Sequence, residues 1–113
     1  MGDRGNLVMV ESTGKEIYFY THWDGYNLPS ILQAALKRGK GRWEDETYLA
    51  RIILSEMIQH SVLDNTGYGI STYETDKNHA NIYVKSTTKQ VMWKDQIWSF
   101  QEFVNLINPI PDF

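Results

Sequence analysis

The stretch Ile17-Tyr18-Phe19-Tyr20-Thr21-His22-Trp23-Asp24-Gly25-Tyr26 decides the fold: it is an aromatic strand that runs into an Asp-Gly turn. Side chains alternate along an extended backbone. Ile17, Phe19, Thr21 and Trp23 therefore share one face, while Tyr18, Tyr20 and His22 share the other. The first set suits a core. The second is apolar in body but carries a polar atom on every ring, and suits a face that meets something else.

Upstream, residues 7–11 read as a partner strand, with Ser12-Thr13-Gly14-Lys15 as the tight connection of a β-hairpin. Residues 1–6 read as a disordered tail. Downstream, Asn27 is placed to cap a helix with Pro29 in its first turn, where no amide hydrogen is needed. Ile31, Leu32, Ala35 and Leu36 make its apolar stripe, and Gly39 stops it just after Lys37 and Arg38. Glu44-Asp45-Glu46 opens a second helix with a stripe of Tyr48, Leu49, Ile52, Ile53 and Met57, ending near His60. The turn formers Asp64-Asn65-Thr66-Gly67 follow. Residues 68–74 and 80–85 then read as strands joined by the polar loop 75–79, and 90–94 as another strand. Ser99 with Glu102 predicts a capping box, with Phe103, Val104 and Ile107 on the inner side of a short last helix that Asn108-Pro109 closes.

The order is ββααβββα. Short connections favour antiparallel pairing, so the expectation is an α+β domain: a single antiparallel sheet with helices packed on one face, and residues 1–113 forming one domain. The chain has 113 residues, 42% of them apolar, with a net charge of −3 and no cysteine. Disulfides, thiolate zinc sites and cysteine nucleophiles are thereby excluded. The charge gives no general attraction to DNA, RNA or an acidic membrane. No apolar run approaches the roughly 20 residues that cross a bilayer, and the first residues do not read as a leader. A cytoplasmic protein is the expectation.

The face opposite the helices is predicted to hold Tyr18, Tyr20 and His22, with Tyr73, Asn81 and Tyr83 from the later strands. Tyrosine offers a large stacking area at small entropic cost, so such a face suits recognition of a base or of a second copy of the chain. The plainer reading is cross-strand aromatic packing on a wet sheet face. Arg38 and Arg42, interleaved with Lys40 and glycines and followed by Trp43, form a basic joint that could contact a phosphate, although neither a Walker spacing nor a preceding strand is present. A dipole-matching helix end is the commoner reason for such cations. Arg51, at the border of the second helix's stripe, is read as partly buried and paired with Glu44 or Glu56, or as an anion contact. His22 and Asp24 are spaced to point the same way on a strand, but a metal needs more ligands than these two. No catalytic elbow or zinc-protease motif occurs, so no cofactor and no metal are expected.

Tyr20-Thr21-His22-Trp23-Asp24-Gly25, then Leu28-Pro29 with Ile31-Leu32, then Arg38-Gly39 with Arg42-Trp43, resemble a family of small uncharacterised bacterial and phage proteins. The similarity continues through Tyr48-Leu49-Ala50-Arg51-Ile52 to Thr66-Gly67-Tyr68-Gly69-Ile70-Ser71. The resemblance brings no activity with it. Its phage context implies a non-enzymatic, oligomeric binding protein acting in the host cytosol. Its ligand would be an anionic, nucleotide-like immune signal, bound by Tyr18, Tyr20, His22, Trp23, Asp24, Arg38, Arg42, Trp43, Arg51, Tyr73, Asn81 and Tyr83. The alternatives are an inhibitor that grips a host defence protein through the tyrosine face, and a small metal-dependent hydrolase built on His22 and Asp24.

Overall fold

The aromatic run does form the strand predicted for it, but the strand stops earlier. In the computed structural model, which describes residues 2–107, β1 (Gly5–Val10) and β2 (Glu16–Thr21) make an antiparallel hairpin with Leu7 opposite Phe19 and Met9 opposite Ile17. Gly14 takes the left-handed conformation the turn requires, at φ 86°. Thr21 ends β2. Its buried hydroxyl accepts the amides of Trp23 at 3.2 Å and Asp24 at 2.9 Å, a local bond that competes with strand continuation. Trp23 consequently leaves the core face it was expected to share and is half exposed.

α1 (Leu28–Arg38) buries Leu28, Leu32, Ala35 and Leu36 and stops at Gly39. Asn27 does not cap it. A 3-10 turn, Gly25–Asn27, leads into the helix, and the Asp3 carboxylate accepts the Tyr26 amide at 2.9 Å. α2 (Glu46–Ile58) is capped by Asp45, whose side chain accepts the Tyr48 amide. Leu49, Ile52, Ile53 and Met57 are buried, but Tyr48 lies outside the stripe predicted for it, half exposed beneath the Arg42 guanidinium.

β3 (Tyr68–Ser71), β4 (Ile82–Lys85), β5 (Gln90–Trp93) and β6 (Gln96–Ser99) complete one six-stranded sheet in the order β3-β2-β1-β4-β5-β6. α3 (Phe100–Val104) follows with the predicted capping box: Glu102 N–H donates to Ser99 Oγ at 3.0 Å, and Ser99 N–H to Glu102 Oε1 at 2.8 Å. Phe103 and Val104 are buried, whereas Ile107 lies beyond the helix and is exposed. Asn108-Pro109 falls outside the described residues.

The architecture is α+β with a mixed sheet, and the sequence expectation needs three corrections. First, the sheet is not purely antiparallel: β1 and β4 run parallel, Leu7 beside Ile82 and Val10 beside Lys85. β3 joins the far side of β2, so 72–81 crosses the sheet where a hairpin loop was expected. Second, the order is ββααββββα. The missed strand β6 returns through the two-residue turn Lys94-Asp95, with φ 50° and 64°. That is the dihedral pattern of a type I′ hairpin, written here without the usual glycine. Third, residues 2–6 are not a loose tail. β1 begins at Gly5, Asp3 N–H donates to the His22 carbonyl at 2.8 Å, and Gly25 N–H donates to the Asp3 carbonyl at 2.8 Å.

The core lies between the sheet and the helices. Leu7, Met9, Phe19, Ile82, Val84 and Val91 meet α1, α2 and α3 there, while Trp43 and Trp98 pack edge-on against Phe100 and Phe103. No helix among the described residues is long and apolar enough to cross a membrane.

Candidate functional site

Alternation along the strands leaves Asn6, Val8, Tyr18, Tyr20, Tyr83, Met92 and Ile97 on the face away from the helices. This face is not bare. Val8 and Asn6 are fully buried, Val8 with Tyr18 and Tyr83 as its neighbours across the strands. Loop 72–81 fastens over one end. Asn6 Nδ2 donates to the carbonyls of Thr75 and Asp76, and Thr75 Oγ1 donates to Asn6 Oδ1 at 3.0 Å. Arg4 and Asn78 add a reciprocal pair: Arg4 N–H donates to Asn78 Oδ1, and Asn78 N–H to the Arg4 carbonyl.

The strand tyrosines project to this side as predicted, yet their hydroxyls have partners inside the molecule. Tyr18 Oη donates to Glu16 Oε1 at 2.7 Å; that bond, with burial and nearby acids, pushes its pKa up to about 12. Tyr20 Oη pairs with His22 Nδ1 at 2.9 Å, and Tyr83 Oη accepts from Asn81 Nδ2 at 3.4 Å. Tyr73 was placed on a strand but lies past the end of β3, two-thirds exposed in the loop. Asn81 is 7% exposed; its Nδ2 donates to Glu74 Oε2, and its Oδ1 is buried without a partner. The Asn81 and Lys77 bonds hold the Glu74 carboxyl below its ordinary pKa, with burial opposing them.

The cationic half of the predicted site lies elsewhere. Arg38, on the helical side, bonds Glu56 at 2.9 Å and the Ile52 carbonyl at 3.3 Å. Arg42 sits over the Tyr48 ring at 5.0 Å, and Trp43 donates its indole N–H to the Leu36 carbonyl. Arg51 is exposed rather than partly buried, and its neighbour is Ser55, not Glu44 or Glu56. The strand tyrosines and these arginines thus lie on opposite faces of the sheet and do not form one site. His22 and Asp24 also diverge. β2 has ended before them, so strand alternation no longer applies. His22 joins Tyr20, while Asp24 accepts the Tyr68 hydroxyl at 2.7 Å. Burial and that bond raise the Tyr68 pKa. Among the described residues no group of three or more His, Asp or Glu is gathered for a metal.

Among the clefts of the described residues, one adjoins the basic joint and another the tyrosine face. One of ≈ 540 Å³ at the hairpin end includes Arg42 and Trp43, but also Glu44, Asp45 and Glu46. Its cations are committed: Lys89 bonds Glu44 at 3.0 Å. Its acids are structural: Glu46 accepts Ser86 Oγ at 2.6 Å, Ser12 N–H at 2.9 Å and Ser12 Oγ at 2.8 Å, tying α2 to two strand turns. Led by the Ser86 bond, these donors hold its carboxyl below the ordinary pKa. A depressed folded-state value means that this stability is present above the ordinary carboxyl range and is lost as pH falls through the lowered value. Glu46→Gln is expected to cost about 1 kcal/mol at neutral pH, water around the group keeping the figure small. The cost should shrink toward zero in acid, as urea melts of both proteins across pH will show.

The other cleft, ≈ 470 Å³, opens on the tyrosine face between loop 72–81 and the β4–β6 strands, with Lys77, Asn81, Tyr83, Met92, Lys94 and Ile97 among its lining. Tyr83, Met92 and Ile97 are cross-strand neighbours and present an aromatic and thioether surface. Lys77 and Lys94 stand at its rim, Lys77 bonding Glu74 at 3.2 Å and Lys94 over the Trp93 ring. Apolar walls with a few polar groups are what small-molecule sites are made of. Sequence reasoning placed Asn81 and Tyr83 here but missed Met92 and Ile97. Their signal was the alternation against buried Val91 and half-buried Trp98. It also missed the pairing of Asp3 with His79, which fastens the first residues to the crossing loop. Burial opposes the lowering of the Asp3 pKa, and the bonds from His79 and the Tyr26 amide outweigh it.

The fold and this cleft define a class: an α+β domain with helices on one side of a mixed sheet and a small-molecule-sized depression on the other. No family model matches the chain, and neither a curated protein nor a solved structure matches it.

Proposed function

We propose that this chain is a non-enzymatic binding protein of phage or prophage type that sequesters a small anionic, nucleotide-like signal in the host cytosol. The observation that carries the reading is the cleft beside Tyr83, where Met92 and Ile97 offer a stacking floor, and Lys94 and the Glu74-paired Lys77 bring positive charge to a lining that also holds Asp95. A planar base would lie on the ring and the thioether, with its phosphate toward the lysines. Asn81 adds an amide whose carbonyl oxygen has no partner. Arg38, Arg42, Trp43 and Arg51 take no part in this version of the site, because they belong to the helical side.

The test is titration calorimetry with a panel of cyclic mono- and dinucleotides. Binding should appear for at least one of them and fall about tenfold or more in Tyr83→Ala, the weight of one stacked base. Flat traces for the whole panel with the parent protein would remove the proposal.

A second reading, a host-protein inhibitor, is favoured by the exposure of Ile97 in the cleft lining and of Tyr73 just past the end of β3. It would show as a stable complex insensitive to added nucleotide. For the hydrolase reading, His22 is engaged with Tyr20 and Asp24 with Tyr68, which favours the binding readings over it.

A further inference from the structure

The edge of the sheet at β3 carries an independent inference. His22 N–H donates to the Gly67 carbonyl at 2.8 Å, which fixes the phase of the β2–β3 ladder. In an antiparallel ladder the bonded positions alternate, so Gly67, Gly69 and Ser71 face β2, and the N–H and C=O groups of Tyr68 and Ile70 face outward. No strand lies beyond them among the described residues. Proteins commonly protect such an edge with charge, proline, a bulge or a covering element. Tyr-Gly-Ile-Ser has neither a charge nor a proline.

Beside the edge, on the helical side, lies an apolar shelf. Ile70 is 57% exposed and Val62 63%, next to half-buried Leu54 and Ile58, around a groove of ≈ 250 Å³ whose lining also includes Asp64. On the opposite side of the strand Gly69 presents no side chain, and nothing lies within 4 Å of where one would be.

We propose that β3 pairs antiparallel with β3 of a second copy of this chain, across a two-fold axis near Gly69, to give one continuous sheet through two protomers. The row of outward N–H and C=O dipoles is complementary to itself under that rotation. Tyr68 of each copy then faces Ile70 of the other, and each pairing exchanges both hydrogen bonds. The strand itself brings no charge to the pairing, and Asp64 is the one acid in the lining of the adjoining groove. Strand pairing of this length is marginal alone, so burial of the Ile70 and Val62 shelf supplies the larger share of the association energy. The tyrosine cleft is near the opposite edge and stays open in such a dimer.

The experiment is sedimentation velocity from low micromolar to submillimolar protein, paired with amide hydrogen exchange at both ends of that range. The parent should sediment as two chains at the high end. The Tyr68 and Ile70 amides should be protected there and released on dilution, while the Gly69 amide, bonded to β2, stays protected throughout. Ile70→Lys and Val62→Asp alter exposed positions and should fold normally by circular dichroism, yet each should weaken the dimer about tenfold or more. A parent that sediments as one chain at every concentration overturns the proposal. So does a dimer that persists unweakened in both variants, or one in which the Tyr68 and Ile70 amides exchange freely.

Discussion

Gly25→Ala is expected to lower stability by about 3 kcal/mol, the upper part of the range for forcing atoms into a close-packed site. A β-carbon there would stand 2.8 Å from the Asp3 carbonyl oxygen, 2.9 Å from that of Arg4 and 2.7 Å from the His79 ring. Two of these are main-chain atoms, and the Asp3 carbonyl already accepts the Gly25 amide. The neighbouring segment cannot retreat without breaking that bond and the Asp3 contacts to Tyr26 and His79. The melting temperature should fall by about 10 °C for a domain of this size. Slower loss would be expected of Gly41→Ala, where nothing lies within 4 Å of an added β-carbon. Equal melting temperatures for the two variants would refute the account of this turn as a three-segment crossing.

Asn6→Asp should have an effect of similar size by a different route. Asn6 is fully buried and gives its amide hydrogens to two carbonyl oxygens of loop 72–81. A carboxylate in that place has no hydrogen to give and turns negative charge toward both acceptors, at a cost of about 3 kcal/mol. Protonated, the same group can still donate once. Burial raises the folded-state pKa of such an acid above its unfolded value. The part of the penalty due to ionisation is therefore absent below the unfolded pKa, near 3.9, and grows as pH rises toward the folded one, while the one lost bond costs the same throughout. Denaturant melts across pH should approach the parent in acid, short of it by the one lost bond, and diverge toward neutrality. Hydrogen exchange should show loop 72–81 loosening first around Thr75 and Asp76, since Asn6 holds both carbonyls. A penalty that did not change with pH would show that the loop is held by something else.

Local chemistry was readable wherever a few adjacent residues settle it. The Gly14 turn, Pro29 and Gly39 around α1, Asp45 before α2 and the Ser99–Glu102 box each act within one turn of backbone, and each is where the pattern put it. Partner choice between distant strands was not readable. Leu7 and Ile82 carry the same apolar signal whether they meet parallel, antiparallel or not at all. β6 escaped because Lys94-Asp95 makes its turn with non-glycine residues at positive φ. The outward direction of Tyr18, Tyr20 and Tyr83 followed from alternation, while their mutual engagement with Glu16, His22 and Asn81 depended on rotamers that alternation does not specify. The arginines failed as site residues because nothing in a linear pattern says which layer of a two-layer domain a helix-end cation belongs to.

The parallel ladder between β1 and β4 has a consequence for how the molecule is made. The strand that becomes the middle of the sheet is translated before both long helices, and its second neighbour only after them. Closing that ladder encloses most of the polypeptide in a single loop, whose entropic cost must be met before any of its contacts are rewarded. Until then the β4 side of β1 is an open template in the nascent chain, and refolding should proceed on the slower timescale of domains dominated by non-local pairing.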